Sequence, residues 1–288
     1  MDSNLVKRIA FAAVAIPLAV GLVWLGGWPL AALVSLIAVL GMRELFDIAA
    51  KQGNEPLRGI GMLLAAAIPL MAYAALTSPD VAGNVTRWLP YLVAGAIIAL
   101  LVQALAVRAP TERPLGAVAI TLFGVGYTGV LPTFLLDIRH ATMPTQSWAG
   151  VALVFFPLVV TWVCDTAAMF GGRAVGGPKL APTISPGKTR AGGIAGLVGG
   201  IAIAPVFALW IFPAAGIAFA LGPAIATAFA LAIIGQLGDL AESLFKREAG
   251  VKDSSALIPG HGGVLDRFDS LYVVLPVAAA CYKFFGLT

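Results

Sequence analysis

The chain has 288 residues, of which 60% are hydrophobic and 11% charged, with a formal net charge of +4. Soluble domains are about a quarter charged, so this composition excludes an ordinary water-soluble globule. The basic excess is not read as nucleic-acid affinity, because surplus Lys and Arg in an apolar chain mark cytoplasmic loops. Cys164 and Cys281 sit in apolar runs and are too few for a disulfide framework; they are read as small buried hydrophobes.

Taken in chain order, apolar runs between polar or Gly/Pro breaks predict membrane-spanning helices near 8–26, 29–48, 59–77, 88–107, 115–136, 149–171, 191–212, 217–238 and 270–287. No period-two alternation suggests barrel strands. The expected fold class is an all-α polytopic integral membrane protein with about nine spans. The basic start and apolar run of the first segment mimic a secretory signal, but the run is long and leads directly into a second span, so a retained helix is expected. The FPAAG segment at 212–216 is read as a turn. An unbroken helix over 191–238 would be about 70 Å long at 1.5 Å per residue, too long for one crossing.

Basic residues set the predicted sidedness. With nine spans, one side receives Lys7, Arg8, Arg43, Lys51, Arg58, Arg108, Arg113, Arg173, Lys179, Lys188, Arg190, Lys246, Arg247, Lys252 and Arg267. The other receives only Arg87, Arg139 and Lys283. The first side is therefore expected to be cytoplasmic, with the amino terminus inside and the carboxyl terminus outside. Trp24, Trp28, Trp88, Trp148 and Trp210 fall near the predicted outer interface, where an aromatic belt belongs. The chain divides into a scaffold of spans 1–5 (residues 1–137) and a catalytic region of spans 6–9 (138–288). The latter contains the two long cytoplasmic connections, 172–190 and 239–269.

Those connections hold the chemistry. Asp165 lies inside an apolar helix, where a carboxylate needs a cation, a metal or a proton. The following loop, GGRAVGGPKLAPTISPGKTR, supplies Ser185, Lys188 and Thr189 just before a helix whose free N–H groups would favour an anion. Gly192, Gly196 and Gly200 at helical spacing predict close packing of span 7 on a neighbour. Asp239, Glu242, Ser243 and Lys246 share one helix face, with Glu242 read as a solvated helix-end residue. Asp266 and Asp269 open the last span, where they could bind a metal or cap the helix. Two carboxylates from two helix ends suit Mg²⁺, which takes one or two carboxylates plus substrate phosphates. Lys246, Arg247, Lys252 and Arg267 are candidates to neutralise phosphate charge. His261, in PGHGG, is read as a phosphate donor, a general acid or a loop organiser. Residue chemistry alone thus reaches a metal-dependent phosphoryl- or nucleotidyl-transfer site. An ion-coupled transporter with intramembrane Asp165 and Asp239 is a rival, although no inverted repeat is visible.

The segment Ser243-x-Phe245-Lys246-Arg247, then Lys252-Asp253, then Ile258-Pro259-x-His261-Gly262-Gly263-Val264-x-Asp266-Arg267-Phe268-Asp269 resembles the signature of phosphatidate cytidylyltransferases (CDP-diacylglycerol synthases). Asp165-Thr166, Lys179-Leu180-Ala181-Pro182, Ile184-Ser185-Pro186-x-Lys188-Thr189 and Arg43-Glu44-Leu45-Phe46 are similar to the same family. The chain departs from the pattern at Arg190-Ala191, where relatives carry an aromatic residue and then Glu or Gln. The resemblance implies CTP and phosphatidic acid as substrates, and CDP-diacylglycerol and pyrophosphate as products. It also implies Mg²⁺, a possible second cation such as K⁺, a homodimer, no nucleic-acid partner, and a site at the cytoplasmic face of a bacterial inner membrane. On this reading Asp239 and Asp266 are the metal ligands, with Lys246, Arg247 and Arg267 as catalytic cations. Asp165, Ser185, Lys188, Thr189, Ser243, Lys252, His261 and Asp269 contact substrate. A related enzyme, a cytidylyltransferase or kinase acting on another membrane lipid, is the alternative within the same chemistry.

Overall fold

A computed structural model describes residues 3–140, 144–258 and 262–288, with side chains from Ala13 onward. The predicted apolar runs all form helices: α1 (Ser3–Leu25), α2 (Gly27–Lys51), α3 (Arg58–Thr77), α4 (Pro79–Val107), α5 (Pro114–His140), α6 (Trp148–Val175), α7 (Arg190–Ala214), α8 (Leu221–Glu248) and α9 (Leu265–Phe284). Among the described residues, α2 to α8 are the seven helices long and apolar enough to cross a membrane. The chain is a helical, polytopic membrane protein.

Four local outcomes differ from, or sharpen, the hydropathy reading. Helix α4 starts at Pro79 instead of near residue 88, because Ser78 caps it by accepting from Val81 N (3.4 Å) and Pro79 occupies the first turn. The 172–190 connection is not a plain loop. Helix α6 runs to Val175, and a hairpin follows, β1 (Lys179–Ala181) and β2 (Ser185–Thr189), pairing Lys179 with Thr189 and Ala181 with Ser185. This short hairpin is a local addition to an otherwise helical architecture; strands of three and five residues are too short to display an alternating pattern. Helix α8 continues through 239–248, which were assigned to the second connection, and an i,i+4 ion pair between Glu242 and Lys246 supports the extra turns. The turn at 212–216 is present, closed by Gly216 N donating to Pro213 O (3.0 Å) and Ile217 N to Phe212 O (2.8 Å).

The helices form two compact units. One comprises Gly27–Asp137 and Glu248–Arg267 with the start of α1; the other comprises Leu18–Gly26, Ile138–Arg247 and Phe268–Thr288. In the first, α2 packs on α3 around Met42, Phe46 and Ala65. Its polar connections are tied down by Arg58 on Asp47 (2.7 Å), Arg113 on Gln52 O (3.2 Å) and Arg108 on Pro56 O (3.3 Å).

In the second unit α6 packs on α7 through the predicted glycine face, and Gly200 approaches α8 as well. Aromatic rings of Phe156, Phe207, Phe212, Phe219 and Tyr282 stack behind that contact. Arg139, assigned to the outer side by sequence, is fully buried and donates to Val23 O (2.6 Å), Trp24 O (2.8 Å) and Pro144 O (3.0 Å). It closes carbonyls of the last turn of α1, a position that a cation favours.

The glycine face predicts its own test. A Cβ on Gly196 would lie 2.9 Å from Cys164 O and 3.0 Å from Ala168 Cβ, whereas one on Gly83 meets nothing within 4 Å. Gly196→Val should therefore lower thermal stability in detergent by about 1–3 kcal/mol through overpacking, with Gly83→Ala unchanged or more stable. Equal melting temperatures for the two variants would contradict this account of α6–α7 packing.

Candidate active site

The second unit gathers charged groups on α8, the hairpin and the start of α9. Asp239 projects from α8, and the Lys188 ammonium on β2 lies 2.5 Å from its Oδ2. Ser243 Oγ, one turn further along α8, donates to Asp239 Oδ1 (3.4 Å). The charges of Asp239, Lys188 and Lys246 all act on Asp269, so two carboxylates and two ammonium groups share one neighbourhood.

Several contacts hold this arrangement in place. Arg247 Nε donates to Ile184 O (3.1 Å), tying the hairpin tip to α8. Thr189 caps α7, its Oγ1 accepting from Gly192 N (3.0 Å). Gln236, three residues before Asp239, donates from Nε2 to Gly193 O (3.3 Å) in the first turn of α7. Sequence reasoning overlooked Gln236; the signal was a lone amide in the apolar run IIGQLG, which needs a hydrogen-bond partner once buried.

Glu242 is not a solvated helix-end residue. It is completely buried and ion-paired with the nearly buried Lys246. The reason is a face that the i,i+4 spacing turns inward while Leu244 and Arg247 remain exposed. Lys246, a catalytic candidate by sequence, thus has its charge balanced within its own helix. Asp165 lies on the exposed side of α6, next to buried Cys164. Ser185 is half-buried in β2.

The first unit holds the other candidates. Asp266, in the first turn of α9, accepts at Oδ2 from Ser254 N (2.9 Å), Ser254 Oγ (2.8 Å) and Gly263 N (2.8 Å). Lys252 and Arg267 are exposed. His261 lies outside the described residues; flanking it, Ile258 N donates to Gly262 O (2.8 Å). Glu44 on α2, which sequence reasoning left without a role, is buried beside this loop and accepts four hydrogen bonds from it.

Chemically, these residues offer hard oxygen donors and partly exposed cations. Among the described residues no three His, Cys, Asp or Glu side chains form a metal cage. Carboxylate oxygens of this kind are the ligand type that Mg²⁺ takes alongside substrate phosphates.

Comparisons with known proteins point in one direction. Residues 6–285 match the model of the cytidylyltransferase family. A Synechocystis protein named phosphatidate cytidylyltransferase is 32% identical over 296 residues, covering 94% of each chain. A Haemophilus influenzae protein of the same name is 44% identical over 158 residues, or 52% of this chain and 51% of its own. One from Brucella suis is 39% identical over 203 residues, covering 68% and 64%.

The buried pair on α8 generates a second prediction. Glu242→Ala leaves the Lys246 ammonium without its partner, and should cost about 3–5 kcal/mol, read as a fall in melting temperature in detergent. The double replacement Glu242→Leu with Lys246→Met should recover most of that stability, whether or not activity returns. A double variant as unstable as Glu242→Ala would contradict the pairing.

Proposed function

The chain belongs to the cytidylyltransferase family, and from that membership we propose that it transfers the cytidylyl group of CTP to phosphatidic acid, releasing pyrophosphate and forming CDP-diacylglycerol for phospholipid synthesis. The observation that carries the reading is the cluster of Lys188, Asp239, Ser243, Asp269 and Lys246, in a chain that aligns over 94% of its length with a relative bearing that enzyme name. The intramembrane-transporter reading has less support, since Asp239 is ion-paired to Lys188 of the hairpin between two helices.

The reaction needs little covalent help from the protein. A phosphate oxygen of the lipid attacks the α-phosphorus of CTP; a new P–O bond forms as the bond to the β-phosphate oxygen breaks, and the electron pair leaves with pyrophosphate. The nucleophile is already an anion near neutral pH, so positioning and charge neutralisation carry the rate. Lys188 is partly exposed and offers N–H donors beyond the one directed at Asp239, which suits it to bind a phosphate oxygen. Arg247 holds the hairpin that carries Lys188 and Ser185, so its guanidinium orders the cation as well as adding charge. Thr189 fixes the start of α7, whose first N–H groups favour an anion. Lys246 is kept in the proposed set, although Glu242 balances its charge, and Arg267 and Lys252 are exposed cations available to substrate phosphates. Asp165, Ser243 and Asp269 complete the proposed substrate-contacting set.

Mg²⁺ is the proposed cofactor, with Asp239 and Asp266 as its candidate ligands, and when bound it would neutralise charge on the phosphates. A second cation such as K⁺ and a homodimeric state are part of the same proposal. So are nine membrane crossings with the amino terminus inside and the carboxyl terminus outside, and a bacterial inner-membrane location with the site facing the cytoplasm. The basic-residue asymmetry supports that orientation. In that orientation a lipid phosphate at the interface would meet a nucleotide arriving from the cytosol.

The test is direct. Protein purified in detergent should convert labelled CTP and phosphatidic acid to CDP-diacylglycerol, lose activity in a chelator and regain it with Mg²⁺. Asp239→Ala, Asp266→Ala and Lys188→Ala should each lower kcat by about a hundredfold or more while remaining folded. No product with any lipid acid would sink the activity, and undiminished rates in these variants would sink the site.

A further inference from the structure

Glu44 is a buried charged residue of α2 that the proposed chemistry does not use. Its side chain is buried, at 3% exposure, among mostly apolar buried residues of the helix. A carboxylate so placed is costly unless hydrogen-bonded, and here the donors come from more than 200 residues away. Oε2 accepts from Ser254 Oγ (2.9 Å) and Leu265 N (2.7 Å); Oε1 accepts from Ser255 Oγ (2.6 Å) and Val264 N (3.0 Å). Val264 and Leu265 stand at the start of α9, where helix N–H groups lack intrahelical acceptors. Glu44 therefore performs, from another helix, the task that an N-cap side chain usually performs locally.

The same loop sets Asp266. Ser254 donates through N (2.9 Å) and Oγ (2.8 Å) to Asp266 Oδ2, and its hydroxyl also lies 2.9 Å from Glu44 Oε2. A hydroxyl has one proton, so a single O–H serves two carboxylates and links their positions. The remaining space is closed. A Cβ on Gly263 would overlap both Ser254 Oγ and Glu44 Oε2, and Gly263 N is itself a donor to Asp266 (2.8 Å). Glu44, Ser254 and Asp266 thus have little room to move independently.

We infer that Glu44 is a positioning residue: through Ser254 and the N–H groups of Val264 and Leu265 it sets the orientation of the Asp266 carboxylate without touching substrate. The inference rests on the proposed function for the role of Asp266, but the hold on the loop is independent of it. Groups that orient a metal-binding or reacting side chain in this way typically change activity or metal affinity about 10–100-fold when removed.

The experiment uses the full chain in detergent, with Glu44→Gln, Ser254→Ala and Ser255→Ala. Glutamine keeps the shape but replaces one acceptor with a donor that faces donors. In Glu44→Gln, amide hydrogen exchange at Val264 and Leu265, measured without nucleotide or metal, should accelerate about tenfold or more. The kcat for CDP-diacylglycerol formation should fall about tenfold or more, with KM for CTP within about twofold and the Mg²⁺ concentration for half-maximal rate raised. Ser254→Ala should follow the same pattern and combine non-additively with Glu44→Gln. Ser255→Ala, whose hydroxyl does not reach Asp266, should cost at most about threefold in kcat. Faster exchange with wild-type kcat and Mg²⁺ dependence would make Glu44 a fold residue only and overturn the inference. If Glu44→Gln does not fold, the serine pair decides: a larger kcat loss in Ser254→Ala than in Ser255→Ala upholds it, and equal effects overturn it. A wild type that forms no CDP-diacylglycerol removes the functional reading, while the exchange measurement still upholds or overturns the hold of Glu44 on the loop.

Discussion

A charge in a chain this apolar persists only where something in the fold compensates it, and the polar architecture follows from how each carboxylate meets that demand. Three solutions appear. Glu44 is surrounded by N–H and O–H donors, Asp239 faces Lys188 across two elements, and Glu242 pairs with Lys246 one turn away on its own helix. The solutions differ in what they leave available. Hydrogen-bond compensation fixes a loop, a buried pair fixes a helix face, and a half-exposed pair remains accessible to a ligand.

The two lysines illustrate the difference. The side chain of Lys246 is 10% exposed and that of Lys188 is 28% exposed. Both carry an ammonium with three donors, but only Lys188 combines that capacity with access to solvent. Lys188 therefore keeps donors open to a ligand, whereas the donors of Lys246 are committed to holding Glu242. The hairpin that carries Lys188 has two strands and little area to bury, so its geometry depends on anchors at each end: Arg247 at Ile184 and the Thr189 cap at the start of α7. Isolated two-stranded hairpins are marginal on their own, which gives these anchors their importance.

How much of this could be read from the sequence depended on the range of the interaction. Helices were legible because apolar length is a local property, and the turn at 212–216 because bilayer thickness forbids the alternative. The glycine face of α7 was legible because Gly192, Gly196 and Gly200 repeat at helical spacing. The hairpin was not, since its pairing spans too few residues to leave a period. The inward turn of Glu242 was missed because an acidic residue near a helix end reads as solvated unless its neighbours' burial is known. The contacts of Glu44 were beyond reach for a different reason. Nothing local to Arg43-Glu44-Leu45-Phe46 indicates that its acceptors serve Val264 and Leu265. Within the site, residue types were legible and pairings were not: Lys188 and Asp239 were both singled out, but their ion pair was not anticipated.

The distribution of donors also bears on why the 249–264 connection is rich in Gly and Ser. Asp266 and Glu44 together accept seven hydrogen bonds from this loop and the start of α9, four of them from backbone N–H groups. Backbone donors converge on two carboxylates only where the chain turns tightly, and tight turning with close approach requires small residues. Gly263 meets that need where any Cβ would overlap Glu44, and Ser254 supplies both an N–H and an O–H from one compact residue. At Ser254, Ser255, Gly263 and Val264 the conformation is therefore set by these carboxylate acceptors. The placement of these residues depends on both carboxylates staying in place, and that dependence links a residue on α2 to the first turn of α9.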